Sequence, residues 1–374
     1  MTIPKFMAAV RLVGHGGADK LVYAEDVPTP TPSAGEVLIR VAAASINNTD
    51  INTRIGWYSA QASAGTAETA AIGPSPDKGD MPKYGDMPKD GDWTGSGLVF
   101  PRIQGADVCG EIVAVGDGVP GGRRGERVIV QSCLRSLARG NFTPWLGSER
   151  DGAFAQFVTA PAADTYRVEC ALTDAELAAV PCAFATAENL LGRAGVKAGE
   201  NVLITGASGN VGIAAVQLAR CRGAHVTAIA AADKCAAIEA IGADRCLARD
   251  TKLVAAIGKD SVDVAIDVVG GPNWPDLLDV LKTRGRYAVS GAIAGPIVQL
   301  DLRKLYLKDL TFHGCTSQDA RVFPDLIGHL ERGEIKPVIA RRYALRDIAA
   351  AQEDFLSKAL IGKIVLIPPP IGPG

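Results

Sequence analysis

Thr205-Gly206-Ala207-Ser208-Gly209-Asn210-Val211-Gly212 is the stretch that decides the fold. An apolar β-type run, Asn201 to Ile204, enters it; an amphipathic helical run, Ile213 to Arg222, leaves it; a second strand-like segment, His225 to Ala230, follows at once. Glycines at 206, 209 and 212 permit a tight turn, close approach of backbone to a pyrophosphate, and close packing of helix on sheet, with the anion at the helix N-terminus. Three glycines alone say little. Inside a complete strand, turn, helix, strand unit they predict a dinucleotide site, lined by Gly206, Ser208, Gly209, Asn210, Val211 and Gly212.

The pattern extends outward from this unit. Helical runs precede it near Thr173 to Val180 and from Thr186 to Ala194, and strand-like runs follow at Val262 to Val269 and Gly285 to Ser290. Strands separated by helix-length segments imply a parallel doubly wound sheet. Its carboxyl edge would bring Val268, Val269, Gly270, Gly291 and Ala292 beneath a bound ribose and nicotinamide. At the end of the second strand an NAD site usually has an acid for the ribose 2′-hydroxyl. This chain has Ala230-Ala231-Ala232 there, then Asp233 and Lys234. The missing acid and the nearby lysine favour the 2′-phosphate of NADP; a shift of three residues would make Asp233 the acid of an NAD site. Lys234 is read either as a phosphate ligand or as a solvated charge at a helix start.

The first 170 residues are different in kind. β-type runs at Met7 to Val13, Glu36 to Ala44, Gly110 to Val115, Glu126 to Gln131 and Phe154 to Thr159 are broken by Gly and Pro, as in a barrel. The tail, Ala349 to Leu366, reads as one helix and one strand returning to that barrel. Between residues 59 and 97 a stretch rich in small and polar residues contains the near-repeat GDMPKY, GDMPKD, GDW. It is too long and polar for a compact connection, and is either a lid or a tolerated surface insertion. Trp57, Tyr84 and Trp93 form an aromatic rim for a planar substrate or simply pin that loop.

Composition narrows the function. Of 374 residues 47% are hydrophobic and the net charge is −2, which gives no electrostatic footprint for nucleic acid or an acidic membrane. No apolar run reaches the about eighteen residues that span a bilayer. The N-terminal MTIPKFMAAVRLVGHGG reads as a strand entering a turn, not as a cleavable leader, so a cytoplasmic enzyme with a small-molecule substrate is expected. Eight scattered cysteines without a CxxC pair argue against a disulfide framework or zinc ribbon and for buried thiols. Four histidines show no paired spacing.

PSAGEVLIRV, IQGADVCGEIVAVGDGV, GERVIV, DGAFAQFV, VKAGENVLITGASGNVG, DVVGG and GKIVLIP, in that order, resemble the medium-chain dehydrogenase/reductase superfamily. GASGNVG and NNTDINTRIGWY are similar to its quinone oxidoreductase-like branch. The resemblance implies an α/β protein: a GroES-like, β-barrel-type catalytic domain over residues 1–168 with the 59–97 insertion, a Rossmann doubly wound parallel sheet domain over 169–316, and a return to the catalytic domain over 317–374. It implies dimerisation through the edge of the Rossmann sheet, for which the apolar run Tyr287 to Leu300 is either the contact or an ordinary strand and loop. It also implies that Thr186, in AFATAENLL, points at the nicotinamide; the residue-level alternative is a helix cap.

Zinc members of the superfamily carry a ligand cysteine where this chain has Asn47, and a histidine and glutamate where it has Ala106 and Asp107. The segment after Cys133 offers no second cysteine before Cys170 for a structural zinc. No metal is expected. By the same resemblance Asn47, Asp50, Arg54 and Tyr58 line the active site. Reducing a C=C conjugated to a carbonyl makes an enolate whose oxygen neutral donors can hold. Asn47 would bind the carbonyl or the nicotinamide ribose; Tyr58, a phenol with a reference pKa of about 10, would donate a proton or wall the pocket. Asp50 is either catalytic or a structural carboxylate that pairs with Arg54 or accepts backbone N–H bonds. Three functions follow: an NADPH-dependent, zinc-free reductase of a quinone or activated alkene; a zinc-free carbonyl reductase or alcohol dehydrogenase; or a non-catalytic nucleotide-binding protein.

Overall fold

A computed structural model describes residues 2–58, 98–140 and 142–372. They divide into two units: the first takes the described residues up to 182 together with 330–372, the second takes 183–329. Both divisions fall later than the expected 168 and 316. The reason for the first is the short helix that Thr173 caps, α2 below, which packs on strands of the first unit. The 59–97 insertion, with Tyr84 and Trp93, lies outside the described residues.

The first unit begins with strands β1 (Phe6–Leu12), β2 (Leu21–Pro28), β3 (Glu36–Ser45), β4 (Arg102–Ile103), β5 (Asp107–Val115), β6 (Arg127–Val130), β7 (Phe157–Pro161) and β8 (Thr165–Arg167). The chain then forms the second unit's β9 (Asn201–Ile204), β10 (His225–Ala230), β11 (Arg245–Ala248), β12 (Val262–Asp267), β13 (Leu281–Val289) and β14 (Thr311–Gly314). It returns to the first with β15 (Ile339–Ala344) and β16 (Lys363–Ile367), which join the sheet that contains β3. The helices that matter for the site are α1 (Asn48–Arg54), α2 (Asp174–Leu177), α3 (Pro181–Arg193) and α4 (Asn210–Cys221).

In the first unit β3 organises the sheet. One edge runs antiparallel to β5 along its whole length, with two register shifts; the other pairs first with β7, through Glu36 to Arg40, and then with β16, at Ala44 and Ser45. A strand that changes partner along its length must bend, and shifts of register supply the bend. Leu38, Ile39, Ile112, Phe154, Phe157 and Ile364 fill the interior. The consequence for function lies in the register. Ser45 at the end of β3 faces both Asp107 at the start of β5 and Val365 on β16, two residues from Lys363 at that strand's head, so the polar residues Ser45, Asp107 and Lys363 are brought together.

The second unit is a parallel six-stranded sheet in the order β11-β10-β9-β12-β13-β14. β9, which leads into the glycine turn, is central, and α4 starts at Asn210 directly after it. Trp274, Leu277, Leu278 and Tyr287 form the core on one face. Tyr287 and Ala288 are thus core residues and not an accessible surface. The exposed apolar residues are Ile297, Val298, Leu302, Tyr306 and Leu307, in the segment leading to the edge strand β14. Six cysteines are not in a disulfide and four of these are buried, but Cys235 and Cys246 form a disulfide between the helix after β10 and strand β11. Their spacing of eleven residues gave no signal of it, because adjacent parallel strands and the helix between them bring the two together. Among the described residues no helix is long and apolar enough to cross a membrane.

Candidate active site

Asn47 stands between the end of β3 and α1 in extended backbone, at φ −125° and ψ 163°. Its buried amide is held on both sides. Lys363 Nζ donates to Oδ1, and Nδ2 donates to Asp107 Oδ2 at 2.8 Å. The same Asp107 oxygen accepts from Lys363 Nζ at 2.7 Å and from Ser45 Oγ at 2.5 Å, while Oδ1 accepts from the Cys182 backbone N–H at 2.6 Å. A fully buried carboxylate is tolerable only when its lone pairs are satisfied and its charge is balanced, and here three neutral donors and one ammonium do both. Cys182 lies beside this pair, and burial, reinforced by the charge of Asp107, pushes its thiol pKa up.

Asp50 resolves differently from Asn47. Its Oδ2 accepts the Asn47 backbone N–H at 2.8 Å and its Oδ1 that of Gly105 at 3.3 Å, so it ties the start of α1 to the loop before β5. There is no pairing with Arg54: that guanidinium donates to Gly16 O at 2.6 Å and Gln352 Oε1 at 2.9 Å. Burial raises the Asp50 pKa to about 7, and the neighbouring Asp107 charge adds to the effect. Tyr58 is half-buried; its hydroxyl donates to Thr49 Oγ1 at 3.2 Å, and burial raises its pKa. It is therefore a protonated phenol at neutral pH. Trp57 stacks edge-on against it at 5.6 Å.

The second unit gathers the residues predicted for the dinucleotide. Gly206 has φ +60°, and a Cβ there would meet Val269 Cγ2 at 2.9 Å and Val268 Cγ2 at 3.0 Å. At Gly212 a Cβ would lie 2.3 Å from Gly206 O, so the helix can press on the turn only without a side chain. Gly209 is the N-cap of α4 and brings no side-chain oxygen, which leaves the first-turn N–H groups for an anion. Gly270 and Ala292 meet across adjoining loops, where a Gly270 Cβ would lie 3.4 Å from Ala292; one at Gly291 would lie 3.0 Å from Val268 O. Beneath them the fully buried Asp267 accepts Thr205 Oγ1 at 2.5 Å, Tyr287 OH at 2.7 Å and the backbone N–H groups of Val269 and Gly270.

Two expectations change. Thr186 is half-buried in the second turn of α3, which begins at Pro181, so it is not a helix cap. Lys234 is buried, not solvated; desolvation lowers its pKa, and the cationic Arg249 just after β11 lowers it further, while Asp233 is exposed.

Lys363, Thr49, Asp267 and Arg249 are residues that motif reading passed over. Lys363 had a signal: a lone charge at the head of the apolar run Lys-Ile-Val-Leu-Ile. Asp267 had one as well, an acid closing a buried strand before Val-Val-Gly-Gly. Thr49 and Arg249 had none.

Known proteins resemble this chain along nearly its whole length. Residues 82–169 match the model of the alcohol dehydrogenase GroES-like domain, and 210–332 that of the zinc-binding dehydrogenases. The chain is similar to the acryloyl-coenzyme A reductase of Metallosphaera sedula, 29% identical over 96% of this chain and 99% of that one. It is similar to the quinone oxidoreductase of Rattus norvegicus, 27% identical over 97% and 98%. Among solved structures, a putative alcohol dehydrogenase from Sinorhizobium meliloti 1021 is 42% identical, with a TM-score of 0.86 and 98% of both chains covered. A mycobacterial protein complexed with NADPH is 25% identical, with a TM-score of 0.73 over 97% of this chain and 100% of that one. The chain belongs to the medium-chain dehydrogenase/reductase superfamily, in its quinone oxidoreductase-like branch, and is an NAD(P)H-dependent oxidoreductase.

Proposed function

We propose that this protein is a zinc-independent, NADPH-dependent reductase of quinones or α,β-unsaturated carbonyl compounds. The observation that carries the reading is the Asn47, Asp107 and Lys363 group. A catalytic zinc needs three protein ligands, commonly thiolate, imidazole or carboxylate. The acceptor atoms here already hold an ammonium, Ala106 offers no donor, and burial keeps the nearby Cys182 thiol protonated. These residues do not fit the metal.

Bound NADPH supplies a hydride. The glycine turn and the N-terminus of α4 would hold its pyrophosphate, and Lys234 with Arg249 its 2′-phosphate. In the first unit Asn47 keeps one amide N–H after its bond to Asp107, and that N–H is the group to receive a substrate carbonyl oxygen as negative charge develops on it. Tyr58, kept protonated by burial, is the candidate proton donor. Asp50 acts by fixing α1. We further propose that two copies associate along β14, where the exposed apolar residues from Ile297 to Leu307 lie, and that the enzyme works in the cytoplasm.

The name of the Sinorhizobium protein favours alcohol chemistry, and one assay separates the two readings. NADPH consumption is followed with a panel of quinones and enones, and NADP⁺ reduction with a panel of alcohols, each with and without a chelator. The proposal expects enone or quinone reduction unaffected by chelation. Alcohol oxidation abolished by the chelator would overturn it.

A further inference from the structure

Lys363 heads β16 and is the only charged residue in that strand; its side chain is 4% exposed. An apolar residue would serve the barrel as well, since the strand that follows is buried throughout most of its length. Withdrawing an ammonium from water is costly, so a lysine there needs a reason beyond packing. Partnering Asp107 is half of one. The other half is Asn47 Oδ1, to which the ammonium also donates.

An amide side chain is ambivalent, with one acceptor oxygen and two N–H donors, and it can present either to a ligand. Lys363 removes the ambiguity. The Asn47 oxygen takes the Lys363 ammonium and, in the capping box at the start of α1, faces the Asp50 backbone N–H, while Asp107 takes one amide N–H, so the amide plane is fixed from both ends and the second N–H is left to a ligand. A cation on the carbonyl oxygen also draws electron density from the amide nitrogen, and hydrogen bonds in series strengthen one another, so that N–H becomes a better donor.

We propose that Lys363 is a positioning and specificity-determining residue: it turns Asn47 into a donor-only group, so that the site accepts substrates through a carbonyl or quinone oxygen and disfavours a hydroxyl that must donate. The inference rests on the functional reading above and sharpens its substrate class. Lys363 acts through Asn47 and touches no reacting atom. A site built to complement one hydrogen-bond polarity rejects the other because a polar group is left unpaired.

The test combines turnover and binding. Lys363→Met, which keeps the length and removes the charge, should lower kcat by about 10- to 100-fold, since it weakens but does not delete an oxyanion donor. The NADPH dissociation constant should stay within about twofold, because the cofactor residues are elsewhere. In an Asn47→Ala background the same change should cost less than about threefold further, the mark of two residues acting as a unit. An unchanged kcat, or a loss of the same size in both backgrounds, overturns the proposal. A second measurement needs no variant: on wild-type protein with NADP⁺ bound, a saturated cyclic ketone should bind at least about tenfold more tightly than the alcohol of the same skeleton. Equal affinities overturn it even if Lys363→Met fails to fold. Because that comparison reads binding, it stands apart from the functional reading, which fails only if no enone or quinone is reduced.

Discussion

Asp107 in the first unit and Asp267 in the second are both fully buried carboxylates at strand ends, each collecting loops around it. They differ in what balances the charge. Asp267 is surrounded by neutral donors, two hydroxyls and two backbone N–H groups. Asp107 has a lysine ammonium beside its amide, hydroxyl and backbone donors. The first arrangement is scaffolding, which joins the end of β9 to the loop after β12. The second is an ion pair, and it sets the electrostatics around Asn47.

That contrast is broken most directly by one isosteric change in each unit. Asp107→Asn leaves the Lys363 ammonium buried without a counter-charge, and breaking one half of a buried pair costs about 3–5 kcal/mol. Asp267→Asn strands no charge and loses only the charge-assisted part of its hydrogen bonds, about 1.5–3 kcal/mol. Urea unfolding of both variants without ligand should therefore show the larger loss at 107. NADPH titration should show the reverse: Asp267→Asn weakens binding about tenfold, equal to 1.4 kcal/mol, as Val269 and Gly270 lose their anchor, and Asp107→Asn leaves it nearly unchanged. Equal stability losses would mean that the ammonium is not what distinguishes the two sites.

A smaller effect comes from Asp50, which shares the first unit's charge balance. Its folded pKa of about 7 lies above the ordinary carboxylate value of 3.8. Between those two values the native state holds a proton that the unfolded chain has released, so this group makes stability fall as pH rises from 4 to 7, after which the loss is complete. At about 1.4 kcal/mol per unit, the group lowers stability at pH 8 by an amount on the order of 2–4 kcal/mol relative to pH 4. Asp50→Asn should flatten that slope while keeping one acceptor for the Asn47 or Gly105 N–H. A variant with the same pH dependence as the wild type would show that Asp50 ionises freely in the folded protein.

The difference between the two units also explains what could be read before the structure. The dinucleotide turn was legible because two of its glycines answer local steric demands: φ +60° at Gly206, and a Cβ clash with the turn's own backbone at Gly212. Such demands leave a mark on residues close in sequence. The site of the first unit is assembled by register instead, from Asn47, Asp107 and Lys363, which lie 60 and 256 residues apart in successive pairs. Asn47 and Asp107 stood out by comparison with the superfamily pattern, as departures from metal ligands, but nothing local marked Lys363 as their partner. Arg54 shows the same limit: four residues from Asp50 on one helix, it looked like that residue's ion-pair partner, and the fold sends it to Gly16 and Gln352. The Cys235–Cys246 bridge was hidden for the same reason, since it depends on where β11 lies beside β10.

The smallest expected effect sharpens the second unit's side of the comparison, where neutral groups hold the scaffold and charges are left for the ligand. Lys234 closes the turn after β10, buried and with a lowered pKa, and Arg249 is near enough to contribute to that lowering. Arg249 disfavours the charge on Lys234 and Asp233 favours it, and a 2′-phosphate would add to the favourable side for both cations. A single charge contact to a solvent-facing phosphate is modest, so each of Lys234→Ala and Arg249→Ala should weaken NADPH binding by about 3- to 10-fold, or about 0.7–1.4 kcal/mol. NADH affinity should not fall in either, because that cofactor has no 2′-phosphate. A parallel loss of both nucleotides would show that the two residues support the fold of the β10–β11 edge. A loss of NADH alone would assign the ribose to Asp233 and make this an NAD enzyme.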